Sequence, residues 1–230
     1  MELIWEGMVQ ALKLLFQGDR ETWAIIALSL RVSGTATILS LVIGIPLGVY
    51  LALGDFRGRR LLVTLVNSGM GMPPVVAGLL VTILLWRNGP LGFFHLLYTP
   101  AAMIIAQTLI AAPIIVGLTM AAIQQINPKL VWQLQSLGAS PLHIIGILLK
   151  EARYSLLAAV MAGFGAVVSE VGASMMVGGN IQGETRVLTT ATVMEVSKGN
   201  FGLAMALSFV LLFLSYGVTY LLTLLQQRRG

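Results

Sequence analysis

Five long apolar stretches occupy most of this 230-residue chain. They fall at residues 23–53, 61–86, 100–126, 154–178 and 201–225. Each is long enough to cross a hydrocarbon layer about 30 Å thick, for which about 20 helical residues suffice. Because backbone polar groups in lipid must pair within their own segment, these stretches predict helices. Only 10% of the residues are charged, which is too little to cover the surface of a soluble domain. The expected fold class is an all-α integral membrane protein.

The first twenty residues form a separate segment. Glu2, Glu6 and Lys13 interrupt its apolar residues, which recur at roughly helical spacing. This pattern predicts an interfacial helix within residues 1–20 rather than a sixth span. The acidic start also lacks the positive n-region of a signal peptide. The expected transmembrane domain covers residues 21–226 and includes an inner loop at 127–153.

The distribution of charge predicts the orientation of the five spans. With the N-terminus outside, the two inner loops and the C-terminal tail carry a net charge of +6, and the outer segments carry −1. Inner loops of membrane proteins are enriched in Lys and Arg. We therefore expect an outer N-terminus and a cytoplasmic C-terminus. Arg31 lies within the first span, and we expect its long side chain to reach the outer interface.

Composition excludes several classes of function. The chain has no Cys and two His, so a disulfide framework, a Cys-ligated metal and a His-rich metal site are all excluded. A net charge of +5, scattered along the chain, does not indicate nucleic-acid binding. An enzyme would need a deep cluster of nucleophile, base or metal ligands, and Glu170 is the one acid inside a predicted span. A membrane scaffold without transport activity remains an alternative.

The inner loop between the third and fourth spans carries two helix-start signals. Asn127-Pro128 and Ser140-Pro141 each place a capping residue before a proline at the first helical position. Gly138 ends the first helix, because glycine enters the left-handed region at little cost. The loop therefore predicts two helices joined by a turn. It is either an interfacial element or a docking site for a cytoplasmic partner.

Small residues form a stripe along the fourth span; they are Ala162, Gly165, Ala166, Ser169, Gly172 and Ala173. Such a stripe allows close helix packing, and the hydroxyls of Ser169 and Ser174 also offer contacts to a passing anion. Glu170 is costly at this depth, about 2.5–3.5 kcal/mol on insertion scales. We expect Glu170 to accept hydrogen bonds from a neighbouring helix, as a structural clamp or gate.

Further polar groups and prolines lie within or beside the spans; they are Pro73, Pro74, Gln107, Thr108, Pro113, Asn180, Thr185 and Arg186. The prolines interrupt helical hydrogen bonds, which is compatible with a packing kink or with a cavity lining. The amide and hydroxyl in the third span are either links between helices or part of a path. The three residues after the fourth span form either an outer vestibule or a plain turn.

Leu-Gly-Ala-Ser-Pro at 137–141 resembles the cytoplasmic coupling loop of ABC importer permeases. The loop keeps the glycine of that family's motif, although Trp-Gln-Leu at 132–134 replaces its Glu-Ala-Ala. Blocks along nearly the whole chain resemble one subgroup, the tungstate importer permeases. These blocks are 29–33, 44–48, 72–76, 98–100, 106–107, 150–153, 169–173, 177–181, 185–190 and 197–199. Molybdate permeases have a block related to 169–173.

The resemblance implies a five-helix permease of the type I ABC importer fold in a prokaryotic cell membrane. It implies three protein partners: a second copy of the chain, a cytoplasmic ABC ATPase dimer and an extracytoplasmic substrate-binding protein. ATP and Mg would be bound by the ATPase, and the sequence indeed lacks a Gly-Lys-Ser/Thr phosphate loop. The implied substrate is tungstate, with molybdate, sulfate or phosphate as alternatives.

The resemblance assigns a role to the inner loop, and the residue patterns described above suggest the other two groups. The segment that would couple transport to the ATPase comprises Gly138, Ala139, Ser140, Pro141, Leu142 and His143. The expected path or gate comprises Pro73, Pro74, Gln107, Thr108, Ser169, Glu170, Gly172 and Ser174. The expected outer vestibule comprises Asn180, Thr185 and Arg186. No catalytic residue and no metal ligand are expected.

Overall fold

The computed structural model describes residues 2–227, and that part of the chain is entirely helical apart from its turns and loops. The α-helices are α1 (Glu2–Phe16), α2 (Arg20–Leu53), α3 (Arg59–Met70), α4 (Pro74–Leu85), α5 (Pro100–Gln124), α6 (Pro128–Ser136), α7 (Pro141–Glu151), α8 (Arg153–Val168), α9 (Gly172–Gly178), α10 (Leu188–Ser197) and α11 (Phe201–Gln227). A short 3₁₀ turn lies at Gly92–Phe94. The predicted all-α class is confirmed.

Three of the described helices, α2, α5 and α11, are each long and apolar enough to cross a membrane. The other two predicted spans are not continuous helices. α3 and α4 meet at a bend of 108°, and α8 and α9 meet at a bend of 57°. In the first pair Pro73 is extended, with ψ 128°, because the residue before a proline is excluded from helical geometry. Counting each bent pair as one span gives up to five crossings.

The centre of the fold is the contact between α2 and α5, which run side by side for most of their length. Two glycines of α2 make this approach possible. A Cβ atom on Gly44 would lie 2.7 Å from Ile115, and one on Gly48 would lie 2.6 Å from Thr119. Neither distance is possible for real atoms, so both positions require glycine.

The N-terminal segment forms the predicted helix, α1, and packs along α11. Gly7 faces Met205, and Ala11 is buried against α11 and the start of α2. Asp19 then caps α2, because its carboxylate accepts a hydrogen bond of 2.8 Å from the backbone N–H of Thr22. The position of α1 at a membrane interface remains a prediction.

Helix α10 lies outside the five apolar stretches, and the sequence analysis did not predict it. It lies between the fourth and fifth predicted spans, where the sequence suggests a vestibule or a turn. Leu188 and Ala191 bury one side of α10 against α1, α2 and α11. The backbone N–H of Leu188 donates to the Ser29 hydroxyl at 2.9 Å, which ties the start of α10 to α2.

Candidate functional site

The turn between α6 and α7 has the predicted glycine geometry. Gly138 has φ +79°, in the left-handed region that favours glycine. Its N–H donates to the carbonyl of Gln135 at 2.9 Å, and the N–H of Ala139 donates to the carbonyl of Leu134 at 3.0 Å. This pair of hydrogen bonds is the Schellman arrangement, which closes the end of α6 and reverses the chain.

Both predicted helix caps are confirmed. Asn127 accepts a hydrogen bond of 3.0 Å from the N–H of Lys129 at the start of α6. Ser140 accepts one of 3.4 Å from the N–H of His143 at the start of α7. Each cap satisfies a backbone donor that the first turn of a helix leaves without a partner.

The turn presents large apolar side chains away from the body of the protein. Leu137 and Leu142, on either side of Gly138, are 84% and 82% exposed. Trp132 is exposed beside them and lines a shallow cavity of about 620 Å³ on α6. The opposite face of the loop is anchored, because Ile144 and Leu148 are buried in a cluster with residues of α2 and α5. An exposed apolar patch on an anchored element is typical of a protein–protein contact.

In the interior, the predicted path residues Gln107 and Ser174 join two helices. The amide nitrogen Nε2 of Gln107 on α5 donates to Oγ of Ser174 on α9 at 3.2 Å, and both side chains are buried. Gln107 Oε1 and Thr108 Oγ1 are buried without a hydrogen-bond partner among the described residues. The observed contact is therefore a link between helices, one of the two roles that the sequence left open.

Glu170 is buried at the break between α8 and α9, but its partner differs from the prediction. Oε1 accepts a hydrogen bond of 2.8 Å from the backbone N–H of Ala173, at the start of α9 in the same bent pair. Among the described residues, no donor from a neighbouring span contacts the carboxylate; Thr189 of α10 instead donates to the Glu170 backbone carbonyl at 2.9 Å. The carboxylate is placed this way because the first turn of a helix offers free N–H groups and a positive dipole end.

Ser169, on the other side of this break, is exposed, and its hydroxyl is already engaged. Oγ donates to the carbonyl of Gly165 at 2.8 Å, within its own helix. The hydroxyl hydrogen therefore points at the backbone. An anion that reaches Ser169 would have to compete for that hydrogen.

The two helix breaks lie side by side. Pro73 and Pro74 start α4, whose first turn packs against the first turn of α9. A Cβ atom on Gly172 would lie 2.9 Å from Val75, and one on Gly78 would lie 2.7 Å from the backbone of Ala173. The prolines and the glycines thus bring α4 and α9 into direct contact, whereas Pro113 remains inside the continuous helix α5.

The loop after α9 is held by Thr185, which is fully buried. Its hydroxyl donates to the carbonyl of Gly178 at 2.6 Å and accepts from the N–H of Ile181 at 2.9 Å. Asn180 takes the left-handed conformation with φ +53°, and its Oδ1 is buried without a partner among the described residues. These contacts make Thr185 an organiser of the loop.

Arg186 connects this loop to the start of α2. Its Nη1 lies 3.5 Å from Oε1 of Glu21, and Gln182 donates to the same oxygen at 2.7 Å. The first third of α2 and this loop line one cavity of about 540 Å³; the charged and amide residues in its lining are Glu21, Arg31, Gln182, Glu184 and Arg186. Sequence reasoning missed Glu21 and Gln182, because 165 residues separate Glu21 from Arg186.

A second charged group that the sequence analysis missed lies at the end of α10. Glu195 is buried and accepts hydrogen bonds from Lys198 Nζ at 2.8 Å and Asn200 Nδ2 at 3.0 Å. The Lys198 hydrogen bond holds the pKa of Glu195 below its usual value, against the opposing effect of burial. Within residues 2–227, no group of three or more His, Cys, Asp or Glu could hold a metal ion.

Comparison with known proteins identifies the family. A model described as "Binding-protein-dependent transport system inner membrane component" matches residues 44–230, more than half of the chain. The chain belongs to this family. As a binding-protein-dependent transport component it is the permease subunit of an ABC importer, not an enzyme.

Two relatives and one solved structure define its place in this family of transport components. The chain is 42% identical to the tungstate uptake system permease protein of Peptoclostridium acidaminophilum, over 99% of this chain and 100% of that protein. It is 40% identical to a probable anion ABC transporter permease protein of Haloferax volcanii, over 86% of this chain and 88% of that protein.

The fold is similar to that of the methionine ABC transporter MetNI in an inward-facing conformation. The TM-score is 0.70 with 21% sequence identity, covering 94% of this chain and 95% of that chain. At 21% identity this similarity shows that the two proteins share a fold, and it says nothing about the substrate of this chain.

Proposed function

We propose that this chain is the transmembrane permease of an ABC importer for tungstate. The observation that carries the proposal is its 42% identity, over 99% of its length, to a tungstate uptake system permease. Tungstate and molybdate are both tetrahedral dianions, so the charge and shape of a membrane path do not separate them. The preference for tungstate therefore rests on the relative, and molybdate is the second candidate.

In this proposal the chain crosses the membrane five times, as α2, the α3–α4 pair, α5, the α8–α9 pair and α11. The bias of +6 against −1 in loop charge supports an outer N-terminus and an inner C-terminus. α1 would then lie at the outer side. Two copies would pair with an ATPase dimer inside and with a substrate-binding protein outside.

The apolar turn at 137–142 is the surface that would dock in the ATPase. The exposure of Leu137 and Leu142 supports this role, because a partner that covered these two apolar side chains would remove them from water. α7 ends at Glu151 and α8 begins at Arg153, so a single residue, the buried Ala152, connects them. Movement of the docked turn would pass through α7 into α8, which is about 24 Å long.

The far end of α8 is the break beside Glu170, where the movement of α8 would act. Ala162 and Ser169 are exposed along one side of α8, at a spacing of two helical turns. This small and partly polar side is our choice for the face that lines the path between two copies. The Gln107–Ser174 link would hold α9 to α5 during that movement.

The test is the tungsten and molybdenum content of cells that receive trace amounts of both oxyanions. Elemental mass spectrometry compares cells with and without this chain, in the presence of its partner subunits. Tungsten accumulation that requires the chain supports the proposal. Accumulation of molybdenum alone would change the assigned substrate to molybdate and leave the assignment as a permease intact. If the content of neither metal depends on the chain, the proposal of an importer for these oxyanions is refuted.

A further inference from the structure

The cavity beside α2 runs along the helix from its outer end toward its middle. Four of its lining residues, Glu21, Ala24, Leu28 and Arg31, recur every three or four positions and therefore share one face of α2. Glu21 and Arg31 are ten residues apart, a distance of about 15 Å along the helix. The cavity volume of about 540 Å³ lies within the range of small-ligand sites, roughly 300–1,000 Å³.

At the outer end of the cavity, Arg186 has N–H groups that are not engaged in short hydrogen bonds. Its side chain is 13% exposed, and its Nε is buried with no partner among the described residues. The contact of Nη1 with Glu21, at 3.5 Å, is long for a hydrogen bond. A guanidinium carries five N–H donors, so most of the hydrogen-bonding capacity of Arg186 is open to another acceptor.

Glu21 is held independently of Arg186. Its Oε1 accepts a shorter hydrogen bond, 2.7 Å, from Gln182 Nε2. The side chain of Glu21 is also 54% exposed, so water solvates it when the arginine leaves. The arginine can therefore exchange this carboxylate for another anion without leaving a buried charge unpaired.

Arg31 lines the deeper part of the same cavity. Within residues 2–227, neither of the two ion pairs includes it. An unpaired charge eleven residues into an apolar helix is expensive unless it faces a water-filled cavity, and this cavity of about 540 Å³ is large enough to hold water. The cavity thus presents two guanidinium groups in succession, first Arg186 and then Arg31.

We propose that this cavity is an entry site for a tetrahedral oxyanion, which displaces Glu21 from Arg186 and then passes toward Arg31. This inference rests on the proposed function, which places the cavity on the outer side. Glu21 and Glu184 line the cavity together with the arginines, so its net charge is balanced. Balanced charge keeps binding weak enough for release, as a transport path requires.

The experiment measures binding of sodium tungstate to the importer of this chain and its ATPase, in lipid nanodiscs without ATP or substrate-binding protein. Equilibrium dialysis with elemental mass spectrometry gives the dissociation constant Kd. Arg186→Gln should raise Kd about tenfold, the effect of losing one hydrogen bond between charged groups. Arg31→Gln, at an exposed position that the fold does not need, should raise Kd severalfold.

The decisive variant is Glu21→Gln, which removes the competing carboxylate and should lower Kd about threefold to tenfold. Arg87→Gln is the matched control, because Arg87 is exposed and does not line the cavity. If Glu21 and Arg186 were only a structural tie, both substitutions would lower thermal stability and neither would change Kd. Unchanged Kd in these variants, or no tungstate binding by the native importer, overturns the site.

The outcome is separable from that of the proposed function. Tungsten uptake by cells tests transport by the native chain, and it does not depend on whether the cavity binds the ion. Uptake with no effect of the cavity variants on Kd would refute the site alone. Sodium molybdate and sodium sulfate serve as further probes. Arg186→Gln should raise Kd for tungstate, molybdate and sulfate by a similar factor, because the three dianions share charge and shape.

Discussion

Replacement of Gly138 by valine tests whether the turn between α6 and α7 transmits force. The backbone of Gly138 has φ +79°, and a Cβ atom there would meet no neighbouring atom within 4 Å. The cost is therefore conformational rather than steric crowding by other residues. A left-handed conformation costs an ordinary residue about 1–2 kcal/mol, and a β-branched one more.

The chain can avoid this strain only by giving up the two hydrogen bonds that close α6. Each is worth about 0.5–1.5 kcal/mol, so losing both costs about 1–3 kcal/mol, which is comparable with the strain. The turn of the variant is therefore either strained or open. The rest of the loop stays anchored, because Ile144 and Leu148 remain buried. We expect the variant to reach the membrane at a normal level and to lose at least about tenfold in tungstate uptake per ATP hydrolysed.

The matched control is Gly146→Val in α7. Gly146 is exposed, lies in ordinary helical geometry, and also has no atom within 4 Å of a built Cβ. The two variants add the same side chain to the same loop and differ in backbone conformation. Proteoliposomes containing the whole importer give uptake and ATP hydrolysis in parallel. Normal coupling in Gly138→Val, or equal loss in both variants, would refute the reasoning.

Substitutions at three further residues test the interior and the end of α10. Glu170→Gln should preserve the hydrogen bond that caps α9 and leave the melting temperature unchanged. Glu170→Ala should lower the free energy of unfolding by about 0.5–2 kcal/mol, measured by thermal unfolding. Equal melting temperatures for the two variants would contradict the capping role. Ser174→Ala leaves the buried amide of Gln107 without its partner and should cost about 1–3 kcal/mol, which a chemical denaturation series would measure. Because Lys198 lowers the pKa of Glu195, this carboxylate contributes stability that is complete above its ordinary value of 4.5 and declines as pH falls through the lowered one. Glu195→Gln should therefore flatten the acid side of the stability profile, and an unchanged profile would count against the ion pair.

The sequence predicts the features that depend on neighbouring residues. The caps at Asn127 and Ser140 and the left-handed turn at Gly138 follow from side chains within three or four positions, and all three are confirmed. The all-helical fold follows from the same local rule, since apolar stretches of this length form helices in lipid. The family also emerges from the sequence, because its motifs are contiguous blocks.

Long-range contacts could not be predicted in this way. Glu21 and Arg186 are far apart in the chain, and neither has a local pattern that indicates the other. Helix α10 was missed because its packing against α1, α2 and α11, and not a long apolar stretch, supplies its stability. The donor to Glu170 was assigned to another helix because the span was assumed to be unbroken, and a broken span provides its own donors.

The two helix breaks explain why the second and fourth apolar stretches are bent pairs of helices rather than continuous ones. Hydropathy averages over a whole stretch of residues, so it registers neither the break at Pro73 nor the break at Val171, which follows the polar Ser169 and Glu170. Non-helical backbone at membrane depth is tolerated only where protein or a cavity covers it. Here each break covers the other, because the first turn of α4 lies against Gly172. Because the two breaks are in direct contact, a displacement of one break must displace the other or separate α4 from α9.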